Sequence, residues 1–277
     1  MRRNTLTGEL WAEFFGTALL ILLGDGVVAN VLFGTRLGSP DAAPFSAYNW
    51  NTIAWGWGMA VAIAVYVAGG ITGAHINPAV TLAAMARRSI DATKGLLYMV
   101  AQVLGAIVGA FLVHMVYYGS FAHGYKNAFY TSPAAGYENF VFNQYFVEIV
   151  GTFVLVAGIY AIVDNVRNIG PGANLWPLMV GLLVFSIGLS LGGPTGYAIN
   201  PARDFGPRLY AAVIAGDGAA FSNAYFLVPI IGPFIGGVLG AFFYDLAVKP
   251  FLPVKGEVEP EPRGADVAHE PAAGSER

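Results

Sequence analysis

The sequence predicts an all-α membrane protein of six transmembrane helices plus two re-entrant half-helices, arranged as an inverted 3+3 repeat. Three observations carry that prediction: a charge deficit along almost the whole chain, six apolar runs of spanning length, and one long motif that occurs twice. Of the 277 residues, 56% are hydrophobic and only 11% charged, whereas a soluble domain carries roughly 25% charge. Too little polar surface remains to keep a globule in solution.

The apolar runs are approximately Leu10 to Phe33, Thr52 to Gly70, Gly95 to Tyr118, Tyr145 to Val163, Leu175 to Gly193 and Tyr225 to Val248. At about 1.5 Å per residue, such runs match a hydrocarbon core of about 30 Å. Met1 to Thr7 is short and basic, as the start of a signal peptide would be. The run behind it is long enough to span and further spans follow, so it reads as a retained first transmembrane helix. Asn77 to Ala86 and Asn200 to Val213 are also apolar and begin with a cap signal, but they are too short to cross the bilayer. They read as half-helices.

Gly69 to Ala79 is Gly-Gly-Ile-Thr-Gly-Ala-His-Ile-Asn-Pro-Ala, and Gly192 to Ala202 is Gly-Gly-Pro-Thr-Gly-Tyr-Ala-Ile-Asn-Pro-Ala. Eight of the eleven positions are identical, which Gly-rich composition does not produce by accident. The repeat is wider than this motif. Glu13, Gly16 and Thr17 recur as Glu148, Gly151 and Thr152, and Gly105 and Gly109 correspond to Gly232 and Gly236. Each half holds three spans and one half-helix; three being odd, the second half enters the membrane from the opposite side. The expected organisation is one transmembrane domain over residues 1–253, with repeats at about 8–118 and 143–250, and a disordered tail over 254–277 that is rich in Glu, Pro, Gly and Ala.

Six spans place Arg2, Arg3, Arg87, Arg88, Lys94, Arg167, Lys249 and Lys255 on one side, with Arg36 and Lys126 on the other. The positive-inside rule then puts both termini in the cytoplasm. Gly119 to Asn139 reads as an outside connection between the halves. The net charge of −3 and the lack of a basic patch argue against a nucleic-acid partner. With no cysteine there is no disulfide, thiol nucleophile or thiolate metal site, and no direct thiol target for mercurials.

In each motif Pro follows Asn at the start of an apolar helix, where the missing proline N–H costs nothing. Asn77 and Asn200 are therefore N-caps, their oxygens accepting from first-turn N–H groups and their NH₂ groups pointing away as donors. The inverted repeat brings the two half-helices N-terminus to N-terminus near the midplane. The preceding residues, Gly73, Ala74, His75 and Ile76 in one copy and Gly196, Tyr197, Ala198 and Ile199 in the other, are then non-helical. Irregular backbone at membrane depth is tolerated where it is buried in protein or lines a wet cavity, so carbonyls here form a ladder along a pore. The bland alternative is that Asn-Pro is only a loop-to-helix boundary, but a doubled long motif at half-length helices speaks against it.

Glu13 and Glu148 fall in corresponding spans. Their expected role is structural, each accepting N–H groups from a pre-helix loop; proton coupling is the alternative. Asp25 has no repeat partner and no role assigned from sequence. His75 reads as a satisfied buried histidine, and no second His or carboxylate at ligand spacing supports a metal site. No cofactor is expected.

At Gly-Ala-His-Ile-Asn-Pro-Ala-Val and Asn-Pro-Ala-Arg-Asp-Phe-Gly-Pro-Arg the chain resembles the major intrinsic protein family, the aquaporins and glycerol facilitators, over about residues 8–250. The resemblance implies an hourglass fold, a homotetramer with one pore per protomer in the plasma membrane, and a passive channel that is not an enzyme. Asp204 after Arg203 resembles the polyol-conducting branch. The family's narrow filter maps onto Trp57, Gly188, Tyr197 and Arg203, and its paired signature onto Asn77, Pro78, Ala79, Asn200, Pro201 and Ala202. Gly73, Ala74, His75, Gly196 and Ala198 supply the expected pore carbonyls, with Glu13, Glu148 and Asp204 as structural support. A small residue at Gly188 implies room for a carbon chain, and Tyr197 departs from the Phe of familiar glycerol facilitators. The implied permeants are glycerol, water and other small neutral solutes, with ions and protons excluded. A water-selective pore is the nearer alternative; a secondary transporter and a closed junction protein are the more distant ones.

Overall fold

The computed structural model describes residues 5–33, 49–124, 127–164 and 171–252. The expectations placed on Arg2, Arg3, Arg36, Lys126, Arg167, Lys255 and the tail lie outside these residues. The described residues form helices and connecting turns: α1 (Leu6–Phe33), α2 (Trp50–Thr72), α3 (Pro78–Ala86), α4 (Ala92–Val116), α5 (Tyr118–His123), α6 (Val141–Asp164), α7 (Trp176–Leu191), α8 (Pro201–Val213) and α9 (Val228–Ala247). Five helical segments are long and apolar enough to cross a membrane: α1, α2, α4, α6, and α9 together with its flanking turns.

The fifth expected span is shorter than its apolar run. Helix α7 has 16 residues, roughly 24 Å at the standard rise. It starts at Trp176-Pro177 and stops at its cap Gly192, because the chain must turn there to begin the loop that leads to α8. The last span also begins later than its run: Asn223 caps a 3₁₀ turn at Ala224–Leu227, and Pro229 marks the first turn of α9. The connection over 119–139 is more than a linker, since it contains α5 and a buried segment at Ala128, Phe129 and Thr131.

Packing repeats as the sequence does. Helix α1 lies on α2 and α4, and α6 on α7 and α9; each half-helix leans on the third span of the other half, α3 on α9 and α8 on α4. Helices α2 and α7 cross at the pseudo-axis through Gly58 and Gly181. A Cβ on Gly58 would lie 2.8 Å from the Gly181 carbonyl oxygen, and one on Gly181 would strike the Gly58 oxygen. Gly105 and Gly236 sit equally tightly against the backbone of α1 at Phe14 and of α6 at Ile149, and Gly109 and Gly240 against Ala18 and Phe153, so the glycine pairs are one turn later in the second repeat than the expected Gly232 and Gly236. Where lipid gives no hydrophobic drive between helices, such contacts supply the dispersion energy that holds them.

Candidate functional site

The two half-helices are built as their caps dictate. Asn77 Oδ1 accepts from Ala79 N at 2.8 Å, and Asn200 Oδ1 accepts from Ala202 N at 3.0 Å and Arg203 N at 3.2 Å. Contrary to the expectation of free NH₂ donors, each amide group is partly engaged. Asn77 Nδ2 donates to Ile199 O at 2.8 Å and Asn200 Nδ2 to Ile76 O at 2.9 Å, so each asparagine ties the other repeat's loop. An amide nitrogen has two hydrogens, which leaves one per asparagine for another acceptor.

The loops before the caps are strained. Ala74, Ile76, Tyr197 and Ile199 have φ of 52°, 42°, 38° and 42°, a region costly for residues with a Cβ. Two buried carboxylates hold them there. Glu13 accepts from His75 N at 3.0 Å, Ile76 N at 2.6 Å, Thr72 Oγ1 at 2.5 Å and Gln102 Nε2 at 2.8 Å. Glu148 accepts from Ala198 N at 3.0 Å, Ile199 N at 2.8 Å and Thr195 Oγ1 at 2.7 Å.

In a trans peptide the N–H and the preceding C=O point in opposite directions. Drawing His75 and Ile76 N–H back to Glu13 therefore turns the Ala74 and His75 carbonyls the other way, and Glu148 does the same to Tyr197 and Ala198. Ala74, His75, Tyr197 and Ala198 all line a narrow cavity of about 60 Å³. Tyr197 thus joins this set on its backbone as well as its side chain. Gly73 lines a wider cavity of about 170 Å³ that continues the first, sharing Ala74, His75 and Val80 with it. Gly196 lies outside both linings.

The lining of the narrow cavity combines two kinds of residue. Leu20, Val61, Leu155, Val180 and Val184 are aliphatic, and Asn77, Asn200, Arg203 and the two pre-helix loops bring polar groups. Trp57, Tyr197 and Arg203 come together at this cavity, with the Arg203 guanidinium 4.2 Å from the Trp57 ring centroid. Gly188 is close by but does not leave open space. A Cβ there would sit 2.7 Å from Tyr197 Cζ, so the tyrosine ring occupies the volume the glycine vacates. Trp50 fixes this arrangement, donating from Nε1 to Gly188 O at 3.0 Å and meeting Tyr197 edge-on at 5.7 Å. The Tyr197 hydroxyl is buried and has no hydrogen-bond partner among the described residues. His75 Nδ1 is satisfied by Thr81 Oγ1 at 3.1 Å. Among the described residues no group of His, Cys, Asp and Glu could hold a metal.

Several residues at this end escaped sequence reasoning. Arg203 Nη1 donates to Phe129 O at 3.2 Å and lies 3.7 Å from Asp25 Oδ1. The Phe129 segment is anchored in turn by Asp204, which accepts from Thr131 N at 2.8 Å and Thr131 Oγ1 at 2.7 Å while pairing with Arg208 Nε at 2.7 Å. Arg208 also donates to Thr131 O and Ala220 O, at 2.7 and 2.8 Å. The support role of Asp204 therefore passes through a distant connection. Of these contacts only the Asp204–Arg208 pair, four residues apart on one helix, has a spacing that could have revealed it; for the others the only trace in the sequence is charge, Asp25 and Arg208 being costly residues in apolar surroundings.

Inverted half-helices that meet cap to cap beside adjoining internal cavities define a pore-type membrane protein of the inverted-repeat class. Comparison with known proteins narrows this further. The major intrinsic protein family model matches residues 1–244, and the chain belongs to that family; it is an integral membrane protein. It is 48% identical over 240 residues to a protein of Thermotoga maritima named "Probable glycerol uptake facilitator protein", covering 84% of this chain and 97% of the relative. It is 37% identical over 268 residues to the glycerol uptake facilitator protein of Escherichia coli K12, covering 90% and 91%. The aquaglyceroporin from Plasmodium falciparum superposes with a TM-score of 0.76 at 33% identity, covering 89% of this chain and 98% of that one.

Proposed function

We propose that this protein is a passive transmembrane channel for glycerol and other small uncharged solutes, with water, and that it excludes ions and protons. The observation that carries this reading is the narrow cavity lined by aliphatic residues together with Asn77, Asn200, Arg203 and the two pre-helix loops. Glycerol has both apolar and hydroxyl edges, and its CH edge suits Trp57, Tyr197 and the aliphatic lining residues. Its hydroxyls find donors in Arg203 and the free hydrogens of Asn77 and Asn200, and acceptors in the carbonyls of Ala74, His75, Tyr197 and Ala198.

Charged solutes meet two obstacles. A cation faces the positive ends of α3 and α8 together with Arg203, and any ion loses its hydration against an apolar wall. The family relationship and the relatives' names favour a channel over an enzyme. We place the protein in the plasma membrane as a homotetramer, one pore per protomer, with both termini cytoplasmic. Asn77-Pro78-Ala79 and Asn200-Pro201-Ala202 are then its central signature, and Trp57, Gly188, Tyr197 and Arg203 its narrowest ring.

Stopped-flow light scattering on proteoliposomes tests the proposal. Glycerol flux well above that of empty vesicles, with no response to a proton gradient, is expected. Water flux without glycerol flux would select a water-specific pore, and uphill glycerol accumulation driven by protons would select a transporter.

A further inference from the structure

Four buried acids stand in the described helices, Glu13, Asp25, Glu148 and Asp204, and two of them behave alike. Glu13 and Glu148 accept four and three hydrogen bonds and clamp the loops. Asp25 is equally buried, at 0% exposure, yet neither of its oxygens accepts a hydrogen bond from any described residue. A carboxylate kept for structure would be surrounded by donors. What stands opposite Asp25 is a charge, Arg203 Nη1 at 3.7 Å.

The neighbouring acid cannot serve Arg203. Asp204 is adjacent in sequence, but its Oδ1 pairs with Arg208 and its Oδ2 takes both donors of Thr131. The second half-helix thus brings in two arginines, Arg203 and Arg208, and one acid already engaged. The fourth charge comes from the other half of the molecule. The repeat makes the same point: Arg203 occupies the place of Val80, and Asp25, by the Glu13-to-Glu148 correspondence, that of Tyr160. Two charges that each break the internal symmetry face one another across the repeat boundary.

We propose that Asp25 is a specificity-determining residue, the fixed counter-charge of Arg203 that keeps the narrow part of the pore closed to small anions. This rests on the channel reading above. With Asp25 in place, an anion at the narrow cavity meets an arginine whose field is opposed at short range. Without it, Arg203 and the two helix N-termini form an unopposed positive site. Neutral solutes, which respond to donors and not to net charge, are little affected.

The test uses the full-length protein in proteoliposomes. Urea and glycerol flux are read by light scattering, and nitrate, a planar anion close in shape to urea, by swelling in potassium nitrate with valinomycin. Asp25→Asn is expected to raise nitrate permeability at least tenfold while urea and glycerol fluxes stay within twofold of wild type. In an Arg203→Ala background the same substitution is expected to add nothing to nitrate permeability. An unchanged nitrate permeability in Asp25→Asn, or an equal rise with and without Arg203, overturns the proposal. Asp25→Ser provides a second neutral variant; if neither variant assembles, Asp25 belongs to folding and the proposal also fails. A wild-type protein that passes neither urea nor glycerol would instead defeat the channel reading itself.

Discussion

The ring of Tyr197 lies where a side chain at position 188 would be. A Cβ on Gly188 would stand 2.7 Å from Tyr197 Cζ and 2.9 Å from its hydroxyl, and Gly192 and Trp50 close the space on another side. The width of the narrow cavity is therefore a joint property of Gly188 and Tyr197. Neither residue sets it alone.

Gly188→Ala should push the Tyr197 ring toward the cavity, since the crowded glycine side cannot give way. Overpacking of this kind costs about 1–3 kcal/mol. We expect glycerol permeability to fall about tenfold and water permeability by much less, because water is the smaller probe of the same opening. Equal glycerol flux in the variant and the wild type would mean that the ring does not border the solute's path.

Tyr197→Phe removes a buried hydroxyl that has no described partner. Such a group costs about 1–3 kcal/mol to leave unsatisfied, so its removal should not lower the melting temperature in detergent. The glycerol-to-water permeability ratio is expected to stay within twofold of wild type, because the hydroxyl is buried beside Gly188 and not exposed to the cavity. A clear drop in melting temperature would show that the hydroxyl has a stabilising partner after all.

Glu148→Ala takes the acceptor away from Ala198 N, Ile199 N and Thr195 Oγ1. Hydrogen bonds to a charged group contribute about 1.5–3 kcal/mol each, and they hold residues whose φ values are unfavourable. A loss of roughly 3 kcal/mol corresponds to a drop of about 6–12 °C in melting temperature. Glycerol flux should fall with it, because the carbonyls of Tyr197 and Ala198 would no longer be turned to the cavity. A stable, conducting variant would disprove the clamp.

Asp204→Asn strands Arg208, which is buried and relies on Asp204 for its ion pair. Removing one partner of such a pair costs about 3–5 kcal/mol. The segment at Phe129 and Thr131 should loosen, giving faster limited proteolysis between residues 127 and 138. Arg203 should lose its contact with Phe129 O, with weaker discrimination between urea and glycerol as the functional readout. Wild-type cleavage rates would show that the segment is held by other contacts.

The repeat was legible because the same physical problem is solved twice in the chain. Asn-Pro starts a helix in either copy, Glu clamps the loop before it, and Gly admits the neighbouring backbone, so residue type and position together announce Asn77 and Asn200, Glu13 and Glu148, while the glycine pairing read from the sequence, Gly105 with Gly232, is one helical turn out of register. The helix ends were less legible. Apolar composition continues past Leu191, yet α7 stops because the chain must turn into the next loop, a demand that hydropathy does not record. Phe129, Thr131 and Trp50 were invisible for a different reason. Their functions arise from contacts 74, 73 and 138 residues away in the chain, and nothing in their local sequence encodes a partner so distant.

By itself, then, the sequence determined the membrane setting, the inverted architecture and the paired caps, all of which follow from local chemistry repeated at fixed positions. Only the tertiary structure decided what the symmetric scaffold does at its unsymmetric end. It filled the space beside Gly188 with Tyr197, turned Tyr197 O with Ala198 O to the cavity, spent one amide hydrogen of each asparagine on the opposite loop, and set Asp25 against Arg203. Those outcomes depend on which side chains from separate repeats arrive at one place, and on the distances at which they meet.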